Sequence, residues 1–115
     1  MKVSIGSDHG GFNLKYLLAE LLEKREIEVN DHGCFSTEAT DYPDHAAAVA
    51  ADVSQGRADQ GIIICTSGIG VSITANKFPG VHAALCPTLA SARSARSHNH
   101  ANVLCLGSAH TKEEE

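Results

Sequence analysis

Apolar positions along this chain recur with two different spacings, and the changes between them come at Gly, Pro, Ser and Thr. Met1 to Ser7 alternates and halts near Gly6, the pattern of a short strand. From Phe12, Leu14, Leu17, Leu18, Leu21 and Leu22 fall at i, i+3, i+4, i+7 and i+8, which predicts an amphipathic helix with Lys15, Glu20, Glu23 and Lys24 outside its stripe. Ile27 to Asn30 predicts a second strand ending near Gly33. Pro43 suits the first turn of another helix, and Asp44 lies on the favourable side of its dipole. Ala46, Val49, Ala50 and Val53 supply the buried face of that helix.

The run Gly61-Ile62-Ile63-Ile64-Cys65 is continuously apolar, as in a central parallel strand covered on both faces. Thr66 to Gly70 breaks it, and a helix is expected from Ile69 to Asn76, closed by the turn Lys77-Phe78-Pro79-Gly80. Val81 to Cys86 predicts the next strand. Thr88 caps a helix reaching about Ser97, and Val103 to Leu106 makes the last strand.

Strict strand–helix alternation predicts an α/β fold, a three-layer αβα sandwich on a five-stranded parallel sheet. The Rossmann- or flavodoxin-like order 2-1-3-4-5 is the natural expectation. Ligands of such sheets bind beyond the carboxyl ends of the strands, where strand order reverses. Here that crevice lies between the first and third strands. Asp8-His9-Gly10-Gly11 and Cys65-Thr66-Ser67-Gly68-Ile69-Gly70 leave those two strands, so segments far apart in sequence should meet.

Composition narrows the classes of function. With 115 residues there is room for one domain, spanning residues 1–115, and one core. A net charge of -5 argues against nucleic acid or an anionic membrane as principal partner, although a small site can be locally positive. No apolar run approaches the ~20 residues of a membrane span, and no charged-then-apolar leader opens the sequence. A cytoplasmic location is the expectation. Cys34, Cys65, Cys86 and Cys105 form no C-x-x-C pair, so neither a structural metal nor a disulfide framework is expected.

Cys65 ends a buried strand immediately before a Gly-bearing turn into a helix. Unpaired N–H groups at a helix start favour the thiolate, which can act as base or nucleophile; the bland alternative is a small core residue. Cys86 and Cys105 lie within apolar runs and read as core. Thr66-Ser67-Gly68-Ile69-Gly70 offers hydroxyls and N–H groups to a phosphate or an oxyanion, but it matches no nucleotide-binding loop and could be a tight turn needing glycine. Asp8 could cap the first helix or touch a ligand, and Asp41-Tyr42-Pro43-Asp44 could be only a turn and cap. His98-Asn99-His100 lacks a third ligand at metal-site spacing. His32, His45, His82 and His110 are expected to be solvated polar residues.

Four segments resemble the ribose-5-phosphate isomerase B family, which also includes the galactose-6-phosphate isomerase subunits. They are Gly6-Ser7-Asp8-His9-Gly10-Gly11; Thr40-Asp41-Tyr42-Pro43-Asp44; Ile64-Cys65-Thr66-Ser67-Gly68-Ile69-Gly70 with Ala75-Asn76-Lys77; and His98-Asn99-His100-Ala101-Asn102-Val103. The likeness runs from residue 2 to about Ser108. It implies an aldose–ketose isomerase of ribose 5-phosphate and ribulose 5-phosphate that uses neither metal nor cofactor. It also implies a homodimer, or a tetramer, with active sites at the subunit interface. By the same resemblance Cys65 moves a proton between C1 and C2 through an enediolate. Ser67 hydrogen-bonds the reacting oxygens, and N–H groups from Ser67 to Gly70, including Gly68 and Ile69, complete the oxyanion site beside Thr66. His98 of a second subunit opens the sugar ring with Asp8. Asn99 and Tyr42 contact the sugar, and His9 approaches the phosphate.

The chain also departs from that pattern. Family members commonly read Cys-Gly-Thr-Gly where Cys65-Thr66-Ser67-Gly68 stands, and His100 replaces a frequent Asp. Ala109 stands where an Arg is usual, and Glu113-Glu114-Glu115 stands where a C-terminal helix and arginine-bearing tail would begin. These departures leave two alternatives: an isomerase of hexose 6-phosphates, and a catalytically impaired sugar-phosphate-binding module. A flavin-binding protein of the same topology is disfavoured by the absence of a flavin phosphate loop.

Overall fold

The computed structural model describes residues 1–7, 11–32, 42–65 and 69–107. Along the chain run β1 (Lys2–Ser7), α1 (Phe12–Lys24), β2 (Glu28–Asp31), α2 (Tyr42–Ser54), β3 (Gln60–Cys65), α3 (Ile69–Ala75), β4 (Ala83–Leu85), α4 (Leu89–Asn99) and β5 (Val103–Gly107). All strand pairings are parallel, and the sheet order is β2-β1-β3-β5-β4. The α/β class, the five parallel strands and the reversal between β1 and β3 are as expected. The expected order 2-1-3-4-5 is corrected at its far edge, where the last two strands exchange places.

Their composition explains the exchange. β5 has four of its five residues apolar and is flanked on both sides, with Ile63 opposite Cys105 and Ala84 opposite Leu104. β4 has three residues, none fully buried, as befits an edge. Asn76, just beyond α3, secures it: its amide Nδ2 donates to the carbonyl of Ala83 at 2.9 Å, and its Oδ1 accepts from the N–H of Ala83 at 2.8 Å. Asn102 does the same one step earlier, accepting from the N–H of His82 at 2.8 Å and donating to the carbonyl of Gly80 at 2.9 Å.

Right-handed crossovers put α2 and α3 on one face and α1 and α4 on the other. Ala46, Val49 and Ala50 of α2 join Val71 and Ala75 of α3 over Ile63, Cys65, Val103 and Cys105. On the opposite face Leu14 and Leu18 of α1 pack against Ile5, Ile64 and Leu106. A mostly apolar groove of about 250 Å³ separates α1 from α4 near the amino ends of the strands, lined in part by Leu22, Ile62, Ala92 and Leu104. It lies at the far end of the sheet from Cys65. Among the described residues no helix is long and apolar enough to cross a membrane.

Two expectations fail on burial. Lys15, expected outside the α1 stripe, is 1% exposed, whereas Leu17 and Leu21 are 40% and 48% exposed. His45, expected in solvent, is buried on α2 against Gly6 of β1. His32 is exposed, as expected, although its ring Nε2 pairs with Asp52. Charge and polarity predicted exposure for Lys15 and His45, and distant partners overrode them.

Thr88 caps α4 as expected. Its Oγ1 accepts from the N–H of Ser91 at 3.0 Å, and the Ser91 Oγ accepts from the N–H of Thr88 at 3.1 Å. At the other end His100 takes a left-handed conformation, φ 52° and ψ 38°. A side chain is strained there relative to glycine. His100→Gly should therefore raise stability by about 0.5 kcal/mol, the relief of strain less the added freedom of the unfolded chain. Urea unfolding would measure it.

Candidate active site

The carboxyl ends of β1 and β3 form the floor of the expected site. Ser7 ends β1 opposite Ile64, and Cys65 ends β3 opposite Gly107. Gly11, which leads into α1, lies flat against β3: a Cβ there would come within 2.5 Å of the Ile64 side chain. Only glycine permits that approach. It holds the start of α1 directly over the end of the neighbouring strand. The hydroxyl of Ser7 is buried here with no hydrogen-bond partner among the described residues, a position that sequence patterning did not single out.

Cys65 is 7% exposed, with its side chain in the cluster formed by α2 and α3. It is therefore at once a core residue and the last residue of β3, with α3 beginning four residues later at Ile69. The other described thiols behave as core. Burial, reinforced by the nearby thiols of Cys65 and Cys86, pushes Cys105 up to about 12. Burial also raises Cys86, partly offset by a hydrogen bond with Ser91. Neither is suited to carry a proton at neutral pH. Among the described residues no cluster of three His, Cys, Asp or Glu could hold a metal ion.

Asp8, His9, Thr66, Ser67 and Gly68 lie outside the described residues, as does the side chain of Tyr42, which opens α2. His98 and Asn99 are described, and they are not near Cys65. α4 starts beyond the carboxyl end of β4 and descends to the amino end of β5, a path of roughly 16 Å for its 11 residues. His98 and Asn99 are exposed at its lower end, on the face opposite α2 and α3. A single chain thus carries Cys65 and His98 at opposite ends of its sheet. The motif Ala75-Asn76-Lys77 proves structural at its centre, since Asn76 is spent on holding β4.

One larger polar cluster escaped sequence reasoning. The carboxylate of Asp52, buried on α2, accepts from Ser4 Oγ at 2.9 Å, Asn30 Nδ2 at 3.0 Å, His32 Nε2, and Arg57 Nε at 2.8 Å. Burial alone would raise its pKa. The hydrogen bonds from His32, Arg57 and Ser4, with the His32 charge, outweigh that and hold it at about 2. All its donors are internal, so it ties β1, β2 and α2 together and is not poised for chemistry.

Parallel strands, a reversal between β1 and β3, and a thiol at that reversal define a doubly wound α/β protein with its candidate site at the strand ends. Residues 3–115 match the Ribose/Galactose Isomerase family model, and the chain belongs to that family. It is 48% identical over 107 residues to ribose-5-phosphate isomerase B of Escherichia coli, covering 93% of this chain and 72% of the relative. It is 38% identical over 107 residues to galactose-6-phosphate isomerase subunit LacB of Clostridium acetobutylicum, covering 93% and 62%. The solved ribose-5-phosphate isomerase B of Clostridium thermocellum superposes with a TM-score of 0.97 at 49% identity, covering 99% of this chain and 77% of that one.

Proposed function

We propose that this chain interconverts ribose 5-phosphate and ribulose 5-phosphate, with Cys65 as the base and with each site completed by a second copy. The observation that carries the reading is the placement of Cys65 at the strand-order reversal, at the end of β3 and four residues before α3 begins. Its thiolate would remove the C2 proton of the open-chain aldose. The resulting enediolate places negative charge on O1, and N–H groups at residues 67–70 would oppose it without reorganising, an effect of about 3 kcal/mol per donor. Return of the proton to C1, with transfer of the O2 proton to O1, gives the ketose and restores the thiolate.

Ring opening is a separate proton transfer and needs a separate group. A neutral imidazole suits it near pH 7. His98 is the expected group, with Asp8, and because it stands at the wrong end of its own sheet it would come from the second copy. Asn99 would arrive with it. His9 and Tyr42 are the expected contacts to phosphate and sugar. No metal or cofactor enters this scheme.

The likeness to a galactose-6-phosphate isomerase subunit favours one second reading, a hexose 6-phosphate substrate. An isomerase assay over a panel of pentose 5-phosphates and hexose 6-phosphates decides between them. Ribose 5-phosphate should give the highest kcat/KM. Turnover confined to hexose phosphates would replace the pentose reading. Binding of phosphosugars by calorimetry without any turnover would mean an impaired binding module, for which Ala109 is the sequence ground.

A further inference from the structure

Lys15 is the largest fully buried side chain among the described residues, and nothing in the proposed chemistry uses it. Its ammonium lies 2.7 Å from Asp31 Oδ2 and 5.4 Å from the centre of the Phe12 ring. Asp31 is the last residue of β2, and its side chain is 26% exposed. Lys15 is the fourth residue of α1. The pair therefore joins the start of α1 to the exit of β2. These elements flank residues 8–10, which lead from β1 into α1, and residues 33–41, which lead from β2 into α2. Those two connections carry or adjoin Asp8, His9 and Tyr42.

Fold stability does not account for such a pair. Taking an ammonium out of water is costly, and an apolar pair of similar volume commonly serves a fold as well or better. What the ion pair supplies is direction. A short charge-assisted hydrogen bond fixes the distance and rotation of α1 against β2, whereas aliphatic contacts allow the helix to slide. The hydrogen bond from the N–H of His32 to the carbonyl of Ile5, at 2.8 Å, holds the next residue of the same strand exit to β1.

We infer that Lys15 and Asp31 are positioning residues, setting the β1–α1 and β2–α2 connections in the geometry the site requires. The inference rests on the reading of the strand ends as the isomerase site. Its test is the double variant Lys15→Met/Asp31→Leu, with Lys15→Met alone as a second variant. Three experiments are made: urea unfolding for the midpoint, steady-state kinetics for kcat and KM with ribose 5-phosphate, and amide hydrogen exchange.

The double variant should keep or raise the wild-type midpoint while kcat/KM falls roughly tenfold or more, because small displacements of contacting groups are expensive in rate. Amides of residues 11–14 and 28–32 should exchange faster, and those of β3 and β5 should not. Wild-type kcat/KM in the double variant, or unchanged exchange at both segments, would overturn the inference. So would loss of the fold in both variants, which would make the pair a requirement of the fold instead. If the wild type itself fails to turn over ribose 5-phosphate, the isomerase reading falls, and the exchange pattern still judges the positioning role.

Discussion

Two variants that are each inactive should restore activity when mixed. Cys65→Ala removes the group expected to move the C2 proton, and His98→Asn removes the one expected to open the ring. Loss of a positioned acid or base costs about 10²–10⁴-fold in rate, so each variant alone should be close to silent. Neither should unfold the protein: His98 is exposed, and Ala in place of the small Cys65 leaves only a modest void at the end of β3.

Because α4 carries His98 to the end of the sheet opposite Cys65, a site containing both must draw them from different copies. In a mixed dimer one site then holds both defects and the other holds none. Unfolding and refolding the variants together at equal amounts should return about one-quarter of wild-type activity, since half the dimers are mixed and each has one intact site of two. No recovery, with mixed dimers verified by mass, would sink the shared site. Full activity in Cys65→Ala alone would sink the assignment of the base.

The second large effect concerns stability. Asp52→Ala should cost about 3 kcal/mol, the lower end of the range for breaking a buried charged network. Arg57 and His32 are partly exposed and can return to water, but Ser4 is fully buried and would be left without its acceptor. Acid should reproduce part of this loss in the unmutated protein. The folded pKa of Asp52, about 2, lies below the ordinary value of 3.8, so its contribution is complete above about pH 4 and fades as pH falls towards 2. The difference corresponds to about 2 kcal/mol. Urea midpoints at about pH 7 and pH 3 should show a steeper decline for the wild type than for Asp52→Asn, and parallel declines would remove the assignment.

The elements were legible because each satisfies its own local pattern. The aliphatic run from Ile62 to Ile64 is central strand wherever it is placed, and Thr88 with Ser91 caps α4 through atoms three residues apart. What periodicity does not carry is which strands are neighbours, so β4 and β5 exchanged places, and the six-residue run from Val81 to Cys86 gave no sign that only Ala83–Leu85 would pair, at an edge. Nor does it carry long-range polar pairing. Lys15 meets Asp31 across 16 residues, and Asp52 collects donors from 5 to 48 residues away. A local reading assigns those side chains to water. Of the candidate site, the position of Cys65 was legible because the apolar run Gly61–Cys65 marks where β3 ends. The separation of His98 from Cys65 follows from the direction of α4.

The amide of Asn76 has a bearing on behaviour in crowded solution. An open sheet margin is a template on which a stray extended segment can add itself, the first step of self-association. On β4 the peptide unit that would receive such a segment is at Ala83, and both of its polar groups are already engaged by a side chain of the same molecule. Only Ala84 and Leu85 are left along β4, too short a landing place to recruit another backbone.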